Sequence, residues 1–220
     1  MNASVGGLFL AFEGVEGSGK STQASLLADE LRSRGFDVVH AREPGSTPLG
    51  ERVRSLVLEE KGYAIPARSE LFLMLAARAA FVEQVVRPAL AAGSVVIADR
   101  YELSTLAYQG AGRGLPVEEV ARCNLAATGG LSPDATILLE LTPDEGARRQ
   151  VAAAKRPDRM EQEDRAFHQR VAQGYADFAA MGAGLVRIDA TGSVEDVRRR
   201  IRIALQARFP ETFIGAQVIS

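Results

Sequence analysis

Cysteine is nearly absent from this chain, and long apolar runs are absent altogether. Cys123 is the only cysteine among 220 residues, which excludes a disulfide framework and a four-cysteine zinc site and fits a reducing compartment. No window contains 18 consecutive apolar residues, and residues 1–7 carry neither a charged stretch nor a long apolar one, so the sequence predicts no membrane span and no signal peptide. We therefore expect a cytoplasmic protein without a membrane partner.

A strong net charge is also missing. Lys and Arg number 26 against 28 Asp and Glu, for a formal charge of −2, so bulk charge predicts no nucleic-acid partner and leaves a small anionic partner open. No internal repeat, low-complexity segment or linker divides the chain, and its length suits one α/β domain with a sizeable core. We expect residues 1–220 to form a single domain.

Five short apolar runs, separated by long helical patterns, organise the chain. They occupy residues 8–12, 37–41, 95–98, 136–141 and 185–188. Uninterrupted apolar runs of this length are typical of parallel strands buried on both faces. The alternation with helices predicts an α/β fold, a doubly wound five-stranded parallel sheet flanked by helices, with ligands at the carboxyl ends of the strands.

The residues after the first predicted strand match the phosphate-binding loop. Residues 14–21 read G-x-x-x-x-G-K-S and lead into a helical pattern over 23–34, where glycines let successive N–H groups and a helix N-terminus face one anion. We expect Lys20, as an exposed loop residue, to reach the β and γ phosphates of ATP, and Ser21 to hold Mg²⁺. The alternative is a flexible glycine-rich turn. The residues expected to bind ATP here are Gly14, Val15, Glu16, Gly17, Ser18, Gly19, Lys20, Ser21 and Thr22.

An acidic and a basic residue follow the third predicted strand. Asp99 and Arg100 come directly after the run 95–98, where a protein with this loop places its second Mg²⁺-organising carboxylate and where an Arg can bridge phosphates with two hydrogen bonds. By itself the dipeptide is also compatible with a surface ion pair. Residues 110–114, Gly-Ala-Gly-Arg-Gly, predict a turn shortly afterwards.

A helical pattern over residues 69–91 is apolar on more than one face. It is expected to pack on the sheet and on something else, for which a second subunit is one candidate, so we expect a homodimer. Arg78 stands in the middle of this pattern. A buried Arg needs a partner, and either an internal carboxylate or a ligand would satisfy that need.

A basic loop lies shortly before the last predicted strand. Lys155, Arg156 and Arg159 surround a proline there. A charge cluster is usually a solvated surface, but in a chain with a triphosphate site it also fits a short lid, over residues 148–161, that closes over phosphates and expels water. A helix is expected to follow over residues 161–181. In the turn over 187–193, residues 189–192 are expected to touch the adenine of ATP.

Five motifs, in this order and spacing, resemble the bacterial thymidylate kinase family. They are F-E-G-V-E-G-S-G-K-S-T over 12–22, R-E-P-G-S-T over 42–47, D-R-Y-x-x-S-T-x-A-Y-Q-G over 99–110, D-R-M-E over 158–161 and I-D-A-T over 188–191. The phosphate-binding loop alone indicates only a nucleoside-triphosphate binder, whereas the D-R-Y segment joined to R-E-P-G is specific to this family. The resemblance covers residues 8–205 and implies a P-loop nucleoside monophosphate kinase that converts dTMP and ATP to dTDP and ADP with Mg²⁺, for dTTP synthesis.

The resemblance also implies roles for individual residues. Glu16 is expected to meet the sugar 3′-hydroxyl of dTMP, and Tyr108 to pack under the deoxyribose, where a 2′-hydroxyl would clash. Pro44 is expected in a strained turn with a cis peptide bond, and Arg78 and Thr105 at the thymine edge. The implied dTMP site comprises Glu16, Arg42, Pro44, Met74, Arg78, Arg100, Ser104, Thr105, Tyr108 and Gln109. Arg148 is expected to bind ATP together with the loop residues. The expected Mg²⁺ ligands are Ser21 and Asp99. The expected catalytic residues are Lys20, Asp99, Arg100, Arg156 and Arg159.

One position departs from the family pattern. Where the family usually stacks a Phe on thymine, four residues before the helix Arg, this chain has Met74. Phe72, two residues earlier, is turned about 200° around the helix and is not expected to take its place. A Met packs on a ring through its polarizable sulfur, so the change puts only the affinity for the base in question.

The phosphate-binding loop carries no Arg at residues 16–18, unlike some members of the family. Cations of the lid, Arg156 and above all Arg159 within D-R-M-E, are therefore expected to neutralise the transferring phosphoryl group. Two other functions stay open on the sequence alone. One is a kinase for another nucleotide or small metabolite on the same scaffold, and the other is a non-catalytic ATP-binding switch.

Overall fold

A computed structural model describes residues 7–59, 64–154, 157–181 and 184–214 of the chain. Five parallel strands form one sheet in the order β2-β3-β1-β4-β5. The strands are β1 (Leu8–Gly14), β2 (Val38–Arg42), β3 (Val95–Asp99), β4 (Ala135–Glu140) and β5 (Leu185–Asp189). Each predicted apolar run lies within two residues of its strand, so the predicted five-stranded parallel sheet is confirmed.

Helices connect the strands, and three of them pass into π-helical turns. The first half of the chain contains α1 (Lys20–Ser33), α2 (Pro48–Arg54) with the π-helical turn Ser55–Glu59, α3 (Ala67–Phe81) with the π-helical turn Val82–Val86, and α4 (Arg87–Ala91). The second half contains α5 (Glu102–Thr105) with the π-helical turn Leu106–Gly112, α6 (Val117–Thr128), α7 (Pro143–Ala152), α8 (Arg165–Met181), α9 (Val194–Arg208) and α10 (Pro210–Phe213). In the described parts of the chain, no helix is long and apolar enough to cross a membrane.

The sheet is buried on both faces because its strands alternate between two apolar layers. In β1, Leu8, Leu10 and Phe12 pack with α1 and α9, whereas Phe9 and Ala11 pack with the long helix that begins at α3. Side chains of a strand alternate between the two faces, so a strand that is apolar throughout needs helices on both sides. This arrangement confirms the doubly wound fold.

The topology places the phosphate-binding loop beside the third strand. β1 and β3 are neighbours, with Phe12 opposite Asp99, and the backbone N–H of Arg100 donates to the carbonyl of Phe12 at 2.9 Å. From β1 the chain runs to β2 at one edge, and from β3 it crosses to β4 on the other side. A crevice forms at such a switch point, and here residues 14–21 and residues 99–101 both border it.

Two of the predicted boundaries are wrong. A turn was expected from Gly110, but the chain is helical through Gly112. The glycine at position 112 allows close helix packing, because a Cβ there would lie 2.7 Å from the ring of Phe167 in α8. The helix expected from residue 161 begins at Arg165. The preceding backbone is held in a turn by the carboxylate of Asp158, which accepts hydrogen bonds from the next residues.

Candidate active site

A cavity of about 770 Å³ opens at the carboxyl ends of β1 and β3. Residues 16–23 of the phosphate-binding loop and of α1 form one wall, and residues 42–44 form part of the rim. Opposite them lie side chains of α3 and of residues 99–109, and residues 149–153, 158–161 and 192–197 contribute to the remaining walls. Its size is in the range of sites that enclose a nucleotide-sized ligand.

The phosphate-binding loop is packed backbone to backbone against the first turn of α7. Gly17 has φ +72°, and a Cβ there would lie 2.3 Å from the carbonyl oxygen of Gly146. A Cβ on Gly146 would in turn lie 2.2 Å from the carbonyl oxygen of Glu16. Only glycine fits both positions, so α7 sets the conformation of the loop that carries Glu16. Sequence reasoning did not single out Gly146.

Lys20 lies inside the loop and is buried, which corrects the expectation of an exposed side chain. Its ammonium group donates to the carbonyl of Val15 at 2.7 Å, and only 6% of the residue is exposed. Burial and, to a smaller extent, the charge of Arg100 lower the pKa of Lys20 to about 8, although the carboxylates of Glu16 and Asp99 act to raise it. A phosphate bound beside Lys20 would therefore stabilise the charged form of its ammonium group.

Ser21 and Asp99, which the sequence predicts as Mg²⁺ ligands, are in contact beside the phosphate-binding loop, and their binding of Mg²⁺ remains a prediction. The hydroxyl of Ser21 donates to the Asp99 carboxylate. Hydroxyl and carboxylate oxygens are the donors that Mg²⁺ prefers, and the ion usually takes its remaining ligands from water and substrate phosphates. The two side chains therefore fit a Mg²⁺ site that a nucleotide would complete. Among the residues that the structure describes, no three His, Cys, Asp or Glu side chains converge to hold a metal ion by themselves.

Arg100 connects the phosphate-binding loop to the opposite wall. Its guanidinium forms an ion pair with Glu16 and donates to the hydroxyls of Ser104 at 3.1 Å, Tyr108 at 3.3 Å and Tyr175 at 3.4 Å. Burial alone would lower the pKa of Arg100, but Glu16, with smaller contributions from Tyr108, Tyr175 and Asp99, holds the pKa well above its ordinary value. The side chain is thus charged and held between the two halves of the cavity.

A buried carboxylate supports this arrangement from behind. Glu13, in β1, is fully buried and accepts the backbone N–H groups of Tyr101 at 2.7 Å and Ser104 at 3.0 Å. It also accepts the hydroxyls of Ser104 at 2.6 Å and Tyr175 at 3.0 Å. A charged residue inside an otherwise apolar strand was the signal that sequence reasoning missed.

Arg78 has an internal carboxylate as its partner. Two of its nitrogens donate to Glu43, at 2.8 and 2.9 Å, and its other donors reach Thr105 at 2.7 Å, Asn124 at 2.7 Å and the carbonyl of Tyr101 at 2.8 Å. A guanidinium has five N–H donors, and these bonds use all of them. Arg78 and Thr105 line the cavity, but their contact with a thymine remains a prediction, and it would require one of these bonds to be exchanged.

The remaining residues predicted for dTMP lie along the same wall or the rim. Those that line the cavity are Arg42, Pro44, Met74, Ser104, Tyr108 and Gln109. Phe72 points away from the cavity with 56% of its surface exposed, as the helix geometry predicted. The peptide bond between Glu43 and Pro44 is cis, as the family pattern implied.

Arg54, on α2, is a cavity residue that sequence reasoning missed. It donates to the carbonyl of Pro44 at 3.2 Å and lines the cavity beside Arg42. Burial lowers the pKa of Arg54, and the nearby Arg42 lowers it further. Two adjacent cations at this rim favour an anionic ligand. A basic residue on the helix after the Pro-Gly turn was the only signal in the sequence.

The cations predicted for the lid are arranged differently from expectation. Arg159 does not face the phosphate-binding loop: its guanidinium pairs with Glu70 of α3. Arg148 is 75% exposed and pairs with Glu145 on the surface of α7, whereas Arg149 lines the cavity. Arg149 lies three residues after Gly146 and so shares its helix face, a relation that could have identified it. Arg156 and Lys155 lie outside the described residues.

The turn after β5 closes the far end of the cavity. Gly192, Ser193 and Val194 line it, and Arg149 reaches across to donate to the carbonyl of Ala190 at 2.9 Å. The turn itself is held by Asp189, which accepts the backbone N–H of the residue two positions on at 2.9 Å. These residues lie where the sequence predicted an adenine contact.

Comparison with known proteins gives one consistent result. The thymidylate kinase family model matches residues 12–201. A thymidylate kinase from Pseudomonas putida is 48% identical over 196 residues, covering 89% of this chain and 93% of that protein. A thymidylate kinase from Synechococcus is 44% identical over 211 residues, covering 96% of this chain and 100% of that protein. The crystal structure of thymidylate kinase from Ehrlichia chaffeensis superposes with a TM-score of 0.72 at 30% identity, covering 91% of this chain and 99% of that one.

Proposed function

This chain belongs to the thymidylate kinase family and is an ATP-dependent dTMP kinase; we propose that the phosphoryl transfer takes place in the cavity between β1 and β3. The observation that carries this proposal is the position of Arg100. Its guanidinium contacts Glu16 of the phosphate-binding loop on one side and Tyr108 of the opposite wall on the other. A cation there would lie between a triphosphate bound to the loop and a monophosphate bound near Arg42 and Arg54.

The chemistry asks the protein for position and for charge, because phosphoryl transfer needs little covalent participation. Lys20 would hold the β and γ phosphates, and Arg100 would contact the transferred group, where the charge of both substrates accumulates. Ser21 and Asp99 would hold Mg²⁺, which neutralises phosphate charge when bound. The dTMP phosphate attacks in line as a dianion, so no side chain has to act as a nucleophile or a strong base.

The segment over residues 148–161 is proposed to serve as the lid. Three side chains of this segment line the cavity: Arg149 near the beginning of the segment, and Met160 and Glu161 at its end. A lid of this kind excludes water, which would otherwise compete with dTMP for the γ-phosphoryl group. Lys155 and Arg156, which belong to the same segment but lie outside the described residues, would add positive charge to the lid.

The test of function is a coupled ADP-release assay across nucleoside monophosphates. We expect a strong preference for dTMP over dUMP, dCMP, UMP and dGMP, and over the ribonucleotide of thymine.

Tyr108 forms the wall at the sugar: its ring lies against the Arg100 guanidinium at 5.0 Å and its hydroxyl donates to Glu16 at 2.9 Å. Tyr108→Ala should narrow the preference for the deoxy sugar. Equal use of another monophosphate by the unaltered protein would indicate a different acceptor, and binding without transfer would indicate an ATP-binding switch.

The binding of ATP should depend on the protonation of Lys20. Because burial places the pKa of Lys20 at about 8, raising the pH through this value removes its charge in the free protein. Bound phosphates favour the charged form, so ATP binding above pH 8 takes up a proton and weakens by up to about tenfold per pH unit. Calorimetric titrations in two buffers of different ionisation enthalpy measure this uptake. Lys20→Met should remove it, and heats that are equal in both buffers for the unaltered protein would contradict it.

We also propose a homodimer. The face of α3 opposite the cavity exposes Phe72 and, one turn further, Ala76, and a large exposed aromatic side chain on a long helix favours contact with a second copy. Sedimentation equilibrium should give twice the chain mass of 23.5 kDa. Phe72→Glu should return the mass to that of a single chain, whereas a monomeric unaltered protein would disprove the proposal.

A cytoplasmic location completes the proposed function. Cys123 is the only cysteine of the chain, and it is only partly buried within α6. A lone thiol is typical of proteins that work in a reducing compartment. Both substrates are nucleotides of that compartment, which supports the same location.

A further inference from the structure

Glu70, in the first turn of α3, is a buried carboxylate that the reaction itself does not require. None of its surface is exposed, and both of its oxygens accept hydrogen bonds. One oxygen accepts Gln109 at 2.9 Å and Arg113 at 3.1 Å, and the other accepts Arg113 at 3.0 Å and Arg159. A charge is buried at this depth only where its partners are well placed.

The charges around Glu70 are balanced by a second carboxylate. Arg113 contacts Glu163 at 2.7 Å with its other nitrogen, so two cations face two anions. Burial raises the pKa of Glu70, but the hydrogen bonds from Arg113 and Arg159 outweigh it and leave the pKa below its ordinary value. The carboxylate is therefore charged, and it joins α3 to the segment over residues 157–164 directly through Arg159 and indirectly through Arg113, which pairs with Glu163.

Arg159 is the part of that segment that Glu70 holds in place. Its side chain also donates to the carbonyl of Val57 at 2.6 Å, and its backbone N–H donates to the carbonyl of Leu58 at 3.0 Å. The next residue, Met160, is buried and lines the cavity together with Leu58. Fixing Arg159 thus fixes the residues that form this wall of the cavity.

The same face of α3 reaches three parts of the site. Glu70, Met74 and Arg78 are spaced four residues apart and therefore lie on one side of the helix. Met74 lines the cavity, and Arg78 holds Glu43 of the rim. Through Gln109, which also lines the cavity, Glu70 touches the wall predicted for dTMP.

We propose that Glu70 is a positioning residue for phosphoryl transfer: it seats residues 157–164 over the acceptor side of the cavity by holding Arg159. The proposal rests on the proposed function of the lid. In it, Arg159 acts by anchoring the lid, and its cation does not reach the transferring phosphoryl group. The role of Glu70 is indirect, since it contacts neither substrate.

The first test replaces Glu70 by its uncharged isostere. Glu70→Gln should lower kcat for dTMP phosphorylation by at least about tenfold and leave KM for dTMP within about threefold, because the loss lies in the closed complex. The ratio of ATP hydrolysed without transfer to dTDP formed should rise, because an unseated lid admits water. The control is Glu83→Gln, further along the same helical stretch, which breaks only an exposed pair with Arg87 and should leave all three quantities unchanged.

A double-mutant cycle separates anchoring from direct catalysis. If Glu70 acts through Arg159, then Arg159→Met should lower kcat by a similar factor, and the double variant should fall within about threefold of the lower single variant. Losses that multiply in the double variant would mean that the two side chains act independently and would overturn the proposal. So would an unchanged kcat in Glu70→Gln, or an effect confined to KM for dTMP.

A second measurement tests the proposal even if the Glu70→Gln variant does not fold. Arg159→Lys keeps a cation near Glu70, which Arg113 continues to pair with, but loses the planar two-sided contact with Glu70 and the Val57 carbonyl. Hydrogen exchange at the Arg159 and Met160 amides should become at least about tenfold faster in this variant, while amides of β1 are unchanged. Unchanged exchange would overturn the proposal. Because exchange needs no substrate, it tests the anchor even if dTMP proves to be the wrong acceptor.

Discussion

Lys20→Ala is expected to lower kcat for dTMP phosphorylation by more than about 10³-fold without unfolding the protein. The ammonium group lies inside the phosphate-binding loop, 2.7 Å from the carbonyl of Val15, where it would act on charge that grows during the transfer. No other Lys lies at the loop, since residues 14–22 contain only this one. Single-turnover transfer from labelled ATP to dTMP measures the effect directly.

The stability of this variant should distinguish loss of charge from loss of fold. Burial lowers the pKa of Lys20 to about 8 from an ordinary value of 10.5, so the unfolded chain binds this proton more tightly than the folded one. Below pH 8 the charge therefore opposes folding, and removing it should leave the free energy of unfolding unchanged or higher. A variant that melts earlier and loses activity in proportion would assign Lys20 a structural role, and a variant with near-normal kcat would remove the loop from the mechanism.

The sequence predicts the scaffold of the site well because its main features are local. Residues 14–21 form a phosphate-binding loop through their own spacing, and Asp99 follows a strand whose apolar run is obvious. Once the strands are known to be parallel, both must lie at one edge of the sheet. The contact between Ser21 and Asp99 follows from the order of β1 and β3.

The directions of long side chains could not be predicted in the same way. Arg159 lies in a matching motif, yet its guanidinium points at Glu70, 89 residues earlier in the chain. That pairing depends on how α3 packs against the segment after α7, which no local pattern encodes. Arg148 and Arg149 differ by one position, about 100° around a helix, and only the contact of Gly146 with the loop decides which of them faces the cavity.

Buried polar groups are the second class that sequence reasoning missed. Glu13 and Glu43 are buried, and their partners come from distant elements. A buried carboxylate indicates that some partner exists, but the identity of the partner is a property of the fold. Glu43 keeps one oxygen without a hydrogen-bond partner among the described residues, and burial raises its pKa against the opposing effect of Arg78.

The second large effect is expected at Arg100. The residue is held at φ +77°, a conformation that costs a residue with a side chain about 1–3 kcal/mol and aims its guanidinium between the phosphate-binding loop and Tyr108. An arginine that stabilises the transferred phosphoryl group contributes about 10³–10⁵ in rate, or roughly 4–7 kcal/mol of barrier. Arg100→Met should therefore lower kcat by at least about a thousandfold.

Two further variants show why kcat falls in Arg100→Met. Arg100→Lys keeps one positive charge but loses the planar fork that reaches Glu16, Ser104 and Tyr108 together, so it should recover less than about a tenth of the activity. Part of the loss in Arg100→Met would come from removing the cation that pairs with Glu16, and the double variant with Glu16→Gln removes that part. If the double variant regained near-normal kcat, the guanidinium would serve only to neutralise Glu16. A loss that persists in the double variant, measured in a single turnover, places the cation of Arg100 on the transferring phosphoryl group.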